Sequence, residues 1–238
     1  PIGEYKFMAW AGAHDSYDLP ALTRGVSRLE ELKVRLKARY EVLNQPSYIS
    51  DTELEPLWYG EIIDVNFTNT GYQTETINLI KDTNKLRFAF QGQTPAWKIN
   101  LDDYVFEIIA SNGYLDYDNS LLPDDQVSYR PYYKEQANSS LGVVELNTMR
   151  LMADREVRFA ATEKATGKKV LDINLKDFLL TLRMDQYTQW SNQEYLDRED
   201  QYKVVFFISG VEPSTGSWLA LKIQINDWTY YIQNENNP

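Results

Sequence analysis

Hydrophobic and polar residues alternate along most of this chain with the two-residue period of half-buried β-strands. Tyr5, Phe7 and Ala9 alternate with Glu4, Lys6 and Met8, and Leu32, Val34 and Leu36 with Lys33, Arg35 and Lys37. An extended pattern returns at Leu57–Val65 around Gly60, and another begins at Thr74–Leu79 after an Asn69-Thr70-Gly71 turn. A polar break at Lys81–Asn84 precedes Leu86, Phe88 and Phe90, which alternate with Arg87, Ala89 and Gln91. Further strands are predicted at Tyr104–Ile109, around Val144–Thr148, Val157–Ala161 and Val170–Asn174, at Tyr202–Ile208 and Leu219–Ile225, and through Trp228, Tyr230 and Ile232 after an Asn226-Asp227 turn. Residues 43–56 and 111–142 carry prolines and polar clusters and read as long irregular connections.

The period changes once. Leu175, Phe178, Leu179 and Leu182 stand at i, i+3, i+4 and i+7, the spacing of one helix face, with Asn174 placed to cap it. This predicts a helix near 175–184, and a helical turn is expected near Asn192–Arg198, where Glu194 and Arg198 form an i, i+4 pair. About a dozen strands with one clear helix exclude a βαβ series and predict an all-β protein of two sandwiches. The expected division places residues 1–76 in the first sandwich and 77–238 in the second, which carries the helix.

Composition narrows the chemistry. Aromatic residues make up 13% of the 238, including 17 Tyr and 6 Trp, a strand-favouring mixture. A net charge of -11 argues against nucleic acid or an anionic membrane surface as partner. No apolar run reaches the length of a membrane-crossing helix. With no cysteine and the single His14, zinc and thiolate chemistry lack a ligand set. His14 beside Asp15 has no nucleophile in a matching motif, so a loop histidine is the simpler reading. The acids at Asp102-Asp103, Asp116/Asp118 with Asn119, and Asp124-Asp125 lack calcium-loop spacing and read as solvated loop residues. No catalytic, cofactor-binding or metal-binding residue is therefore assigned. Trp10, Trp58, Trp97, Trp190, Trp218 and Trp228 are of the type that stacks on sugars, although Trp58, Trp218 and Trp228 lie beside strand signals, where core packing is the simpler reading. Asn66-Phe67-Thr68 and Asn138-Ser139-Ser140 match a glycosylation triplet too short to carry an assignment.

Eight segments in order bear a resemblance. They are GEYKFMAWAG at 3–12, LWYGEI at 57–62, LIKDTNKLRF at 79–88, IIASNGYLDYDN at 108–119, SYRPY at 128–132, RLM at 150–152, QEYLDRED at 193–200 and IQINDW at 223–228. Together they resemble the FimB/Mfa2 family of fimbrial anchor subunits from Bacteroidales. The resemblance implies two transthyretin-like or immunoglobulin-like β-sandwich domains and a non-enzymatic surface subunit that attaches a fimbrium to the outer membrane. It implies fimbrial stalk subunits as partners, joined through backbone strand pairing, and membrane attachment through an N-terminal lipid whose cysteine this sequence lacks. It also places GEYKFMAWAG inside the first domain, so that strands are expected ahead of it and this domain is expected to be incomplete here. The alternative is a surface carbohydrate-binding β-sandwich module.

Overall fold

The computed structural model describes residues 2–42, 47–68 and 71–231. In chain order the strands are β1 (Gly3–Ala11), β2 (Tyr17–Asp18), β3 (Val34–Leu36), β4 (Arg39–Glu41), β5 (Ser47–Ser50), β6 (Trp58–Phe67) and β7 (Leu79–Lys81). There follow β8 (Thr83–Gly92), β9 (Tyr104–Ala110), β10 (Tyr114–Leu115), β11 (Val127–Tyr129), β12 (Tyr133–Asn138) and β13 (Leu141–Met149). The chain then runs through β14 (Val157–Glu163), β15 (Lys169–Asn174), α1 (Leu175–Gln186), α2 (Asn192–Arg198), β16 (Gln201–Val211), β17 (Trp218–Ile225) and β18 (Trp228–Tyr231).

The all-β expectation holds, with more and shorter strands than the alternation predicts. Two six-stranded sheets, ordered β15-β14-β9-β11-β5-β4 and β12-β13-β8-β16-β17-β18, pack face to face. Their inner faces meet through stacked phenylalanines. Phe88 and Phe159 lie 3.9 Å apart and nearly parallel across the interface, and Phe90 contacts Phe106 at 5.0 Å and Phe206 at 5.7 Å. All five rings are 0–1% exposed, so this is the centre of the core. Strands β8 and β16 run parallel in the middle of one sheet, which demands a long crossover. The helices supply it. Helix α1 buries Leu175, Leu179, Leu180 and Leu182, and Asn174 caps it by accepting from the Asp177 N–H at 3.3 Å. Helix α2 occupies the predicted 192–198 turn, capped by Ser191 and braced by Glu194 with Arg198 at 2.9 Å.

A separate three-stranded sheet, β1-β6-β7, is built from the start of the chain, and a small sheet β10-β3-β2 lies between it and the sandwich in connectivity. The pairing crosses the expected 76/77 division. Strand β3 pairs with β10, and β5 pairs in parallel with β11, so Val34–Leu36 and Ser47–Ser50 are both hydrogen-bonded to strands of the later chain. The chain leaves β1, visits that sandwich, and returns to β6.

Four local expectations change. The 43–56 connection contains β5, hidden because Pro46 and flanking serines mask a strand whose single buried aliphatic is Ile49. The 111–142 stretch contains β10, β11 and β12; the first two are short pieces held by distant partners, and β12 is exposed at every residue, so neither shows alternation. Strand pairing near 74–79 begins only at Leu79, opposite Gly60, and residues 72–78 form no strand. The polar break at 81–84 is no solvent-facing turn: Asp82, Thr83 and Asn84 are 0–3% exposed, with the Thr83 hydroxyl accepting from the Leu57 N–H, Asn84 Nδ2 donating to Met149 O, and Asp82 held by the Asn119 side chain. The expected turn at Asn69-Thr70 and the last strand residue Ile232 lie outside the described residues.

Candidate functional site

The residues singled out in the sequence do not converge. His14 and Asp15 are exposed in the turn after β1. Asp102 is solvated, Asp118 is spent on the Ser120 N–H and hydroxyl at 3.1 and 2.6 Å, and Asp124 pairs with Arg35 at 2.7 Å. The Ser120 hydroxyl holds the Asp118 carboxyl below its ordinary range. Among the described residues no group of three or more His, Cys, Asp or Glu is placed to hold a metal ion. The tryptophans are dispersed as well. Trp97 and Trp218 meet edge-on at 5.9 Å within the core, Trp10 packs on Tyr59 at 5.0 Å, and Trp190 lies between Tyr187 at 4.7 Å and the Arg198 guanidinium at 4.9 Å. Trp228 is 46% exposed at a sheet edge.

What the structure assembles instead is an open face on β1-β6-β7. Strand register sets Tyr5 opposite Val65 and Phe7 opposite Ile63, so these four share one side, with Phe67 opposite Gly3. The other side carries Glu4, Lys6, Asp64 and Asn66, with Lys6 and Asp64 paired at 3.1 Å. Such a strict split belongs to a sheet with one covered face. Yet Phe7 is 47% exposed and Leu79 46%. A groove of about 520 Å³ runs along this face, lined by Tyr5, Phe7, Ile63, Val65, Phe67, Gln73, Glu75 and Ile77. The edges are open too. Strand β1 pairs only with β6, and β7 covers only Trp58–Gly60 of β6, so the far edge of Glu61–Phe67 has no strand partner among the described residues. An apolar face with unpaired edges is the geometry that accepts an added strand.

Where this sheet joins the sandwich lies a buried polar knot. Asp82, between β7 and β8, is fully buried; its N–H donates to Leu57 O at 2.7 Å, and its Oδ1 accepts from Asn119 Nδ2 at 3.0 Å. Asp82 Oδ2 has no hydrogen-bond partner. Arg150 approaches Asp82 at 3.9 Å but spends its fork on Asp197 of α2, at 2.8 and 2.7 Å, and donates to Asn119 O at 2.7 Å. Burial pushes the Asp82 carboxyl up to about 7, against the pull of the Asn119 hydrogen bond and the Arg150 charge, while Asp197 adds to the rise. Burial works against the Arg150 cation, but the hydrogen bonds and charge of Asp197 outweigh it and raise its pKa. Asn119 sits at φ 65, the left-handed region that Asn tolerates. Sequence reasoning missed this knot because its members stand far apart along the chain and Asp82 sits in a polar run that resembles a turn.

The model of the family of fimbrillin-A associated anchor proteins Mfa1 and Mfa2 matches residues 1–234. The chain belongs to this family. The minor fimbrium anchoring subunit Mfa2 of Porphyromonas gingivalis is 20% identical over 231 residues; the match covers 95% of this chain and 66% of that protein, so this chain spans just under two thirds of its length. A solved protein of Bacteroides thetaiotaomicron, described as polysaccharide binding, is 51% identical with a TM-score of 0.85, covering all of this chain and 79% of the other. An adhesin structure from Bacteroides ovatus is 26% identical with a TM-score of 0.79, covering 99% of this chain and 77% of the other. The Mfa2 anchor structure shares the fold at a TM-score of 0.70 and 17% identity, over 97% of this chain and 77% of that one.

Proposed function

We propose that this chain is part of a non-enzymatic anchor subunit that holds a fimbrium at the outer membrane of a Gram-negative bacterium. The observation that carries the reading, beyond family membership, is the amphipathic β1-β6-β7 sheet, whose apolar face carries an open groove with Phe7 half-exposed and whose outer edges have no strand partner among the described residues. We assign this sheet, Gly3–Ala11, Trp58–Phe67 and Leu79–Lys81, to a first sandwich and the two six-stranded sheets to a second. The uncovered face and edges are the place where fimbrial stalk subunits engage, through backbone hydrogen bonds and apolar side chains set at alternate positions. Backbone recognition needs no catalytic constellation, in keeping with loop acids that are locally satisfied. Membrane attachment is proposed through a lipid on the N-terminal side, as the family resemblance implies.

Deleting the gene in the source organism tests the reading. Fimbriae should be shed into the medium or altered in length, as counted by electron microscopy of cells and supernatant. Fimbriae that stay on the cells at normal length would overturn the anchor role.

A second reading is favoured by one observation. The solved relative at 51% identity is described as polysaccharide binding. Carbohydrate binding and anchoring use different surfaces and can coexist on one surface protein.

A further inference from the structure

Away from the open sheet, a second hollow lies between β3 and the β4–β5 hairpin. Its volume is about 310 Å³, within the range of small-ligand sites. Leu36 and Val127, 5% and 3% exposed, supply an apolar floor. Tyr48 forms a wall, and Tyr40, its cross-strand neighbour and 53% exposed, extends the aromatic surface outward at a centroid distance of 5.1 Å. Two ion pairs line the hollow: Arg35 with Asp124 at 2.7 Å and Lys37 with Asp18 at 3.7 Å.

The positions follow from strand register. Asp18 stands opposite Arg35 on β2 and β3, and Tyr48 stands beside Val127 on β5 and β11. Four strands, β2, β3, β5 and β11, thus converge on one concavity, with Lys37 just after β3 and Asp124 on the connection that leads into β11.

We propose that this hollow is a saccharide subsite for a neutral oligosaccharide, an inference that rests on the carbohydrate reading above. The charges decide the class. Two cations and two anions cancel, so neither a phosphate nor a cationic group is favoured. Each pair offers carboxylate acceptors beside N–H donors, hydrogen-bonded to each other in Arg35–Asp124 and open to solvent in Lys37–Asp18, and vicinal hydroxyls satisfy such groups in both directions at once. The hydroxylated edge of a sugar ring meets these pairs, and its C–H face meets the tyrosine wall and the Leu36–Val127 floor. A protein partner needs a far larger contact area than this concavity provides.

The experiment applies the labelled chain to a printed array of neutral hexose and N-acetylhexosamine oligosaccharides. Titration by saturation-transfer NMR with the strongest binder follows. The variants are Tyr40→Ala, Arg35→Gln and the exposed pair Asp18→Asn with Lys37→Met, each checked for folding by circular dichroism. Trp228→Ala, at the distant sheet edge, is the control. Folded pocket variants should weaken binding about tenfold or more, while Trp228→Ala leaves it unchanged. Equal binding by wild type and every folded pocket variant overturns the subsite but leaves the carbohydrate reading standing. A wild-type chain that binds no oligosaccharide on the array overturns both.

Discussion

Asp82 gives the sharpest test of the physical reasoning. Its carboxyl is buried, half-satisfied, and held at about 7 against an ordinary 3.8. The folded state therefore binds a proton more tightly than the unfolded chain does. The stability contribution of that proton is complete below 3.8, is lost as pH climbs from 3.8 to about 7, and stays lost above. The full loss is roughly 4 kcal/mol, and more than half of it falls between pH 5 and pH 8. Asp82→Asn keeps the shape, keeps an oxygen for the Asn119 N–H, and removes the charge that burial penalises. The attraction to Arg150 is lost as well, but Arg150 retains Asp197 on its fork.

The assay is urea unfolding of wild type and Asp82→Asn at several pH values from 5 to 8. Subtracting one from the other cancels the titration of every shared group. The variant should gain on wild type by roughly 2–3 kcal/mol across that range. A difference that stays constant with pH would refute the assignment of a raised Asp82 pKa, whatever its mean value.

Three further outcomes are expected. Gly12→Ala should lower stability by at least ~2 kcal/mol, seen as a drop in thermal midpoint, because Gly12 sits at φ +76 and an added Cβ would fall 1.8 Å from Pro56 O. Arg150→Ala leaves Asp197 and Asp82 buried without their cation, and denaturant unfolding should show a loss of about 3–5 kcal/mol. Phe7→Glu, at a half-exposed position of the open face, should barely move the melting temperature yet abolish capture of stalk subunits in a pull-down; undiminished capture would remove this face from the docking proposal.

The fold was legible where burial imposes a period. Strands β8, β9, β14 and β16 face the core with every second residue, so Phe88, Phe159 and Phe206 announce themselves in the sequence, whereas the register of β17 shifts so that Trp218 and then Ile223 and Ile225 are the buried ones. Helix α1 was legible for the same reason, through its leucines. What escaped were strands defined by their partners alone. Strand β12 has no buried residue, and β10 has two residues held by β3. The open face was half legible: Tyr5 and Phe7 alternate correctly, but alternation cannot say that Phe7 stays half-exposed beside an open groove. The polar knot was illegible, since Asp82, Asn119, Arg150 and Asp197 become one unit only when four separate elements meet. The saccharide hollow escaped similarly, because Asp124 was read with Asp125 rather than with Arg35.

The route of the chain connects the two proposed surfaces. A single linker between the small sheet and the sandwich would leave them free to swing. Here the chain crosses between them three times: after β1, before β6, and from β7 into β8. Each crossing is fastened. Gly12 lies against Pro56, Tyr17 donates to Glu55 O at 2.5 Å, and the third crossing carries Asp82 in the knot with Lys81 paired to Asp200 at 2.5 Å. Under tension, three crossings hydrogen-bonded in parallel must yield together, whereas one linker extends alone. The anchor role proposed above would put this junction under load, and the excursion of residues 13–57 carries Tyr17, Val34, Leu36, Leu54 and Leu57 into the core. The cost of burying Asp82 is then offset by what the knot holds in place: the junction through which load on the open sheet reaches the rest of the molecule.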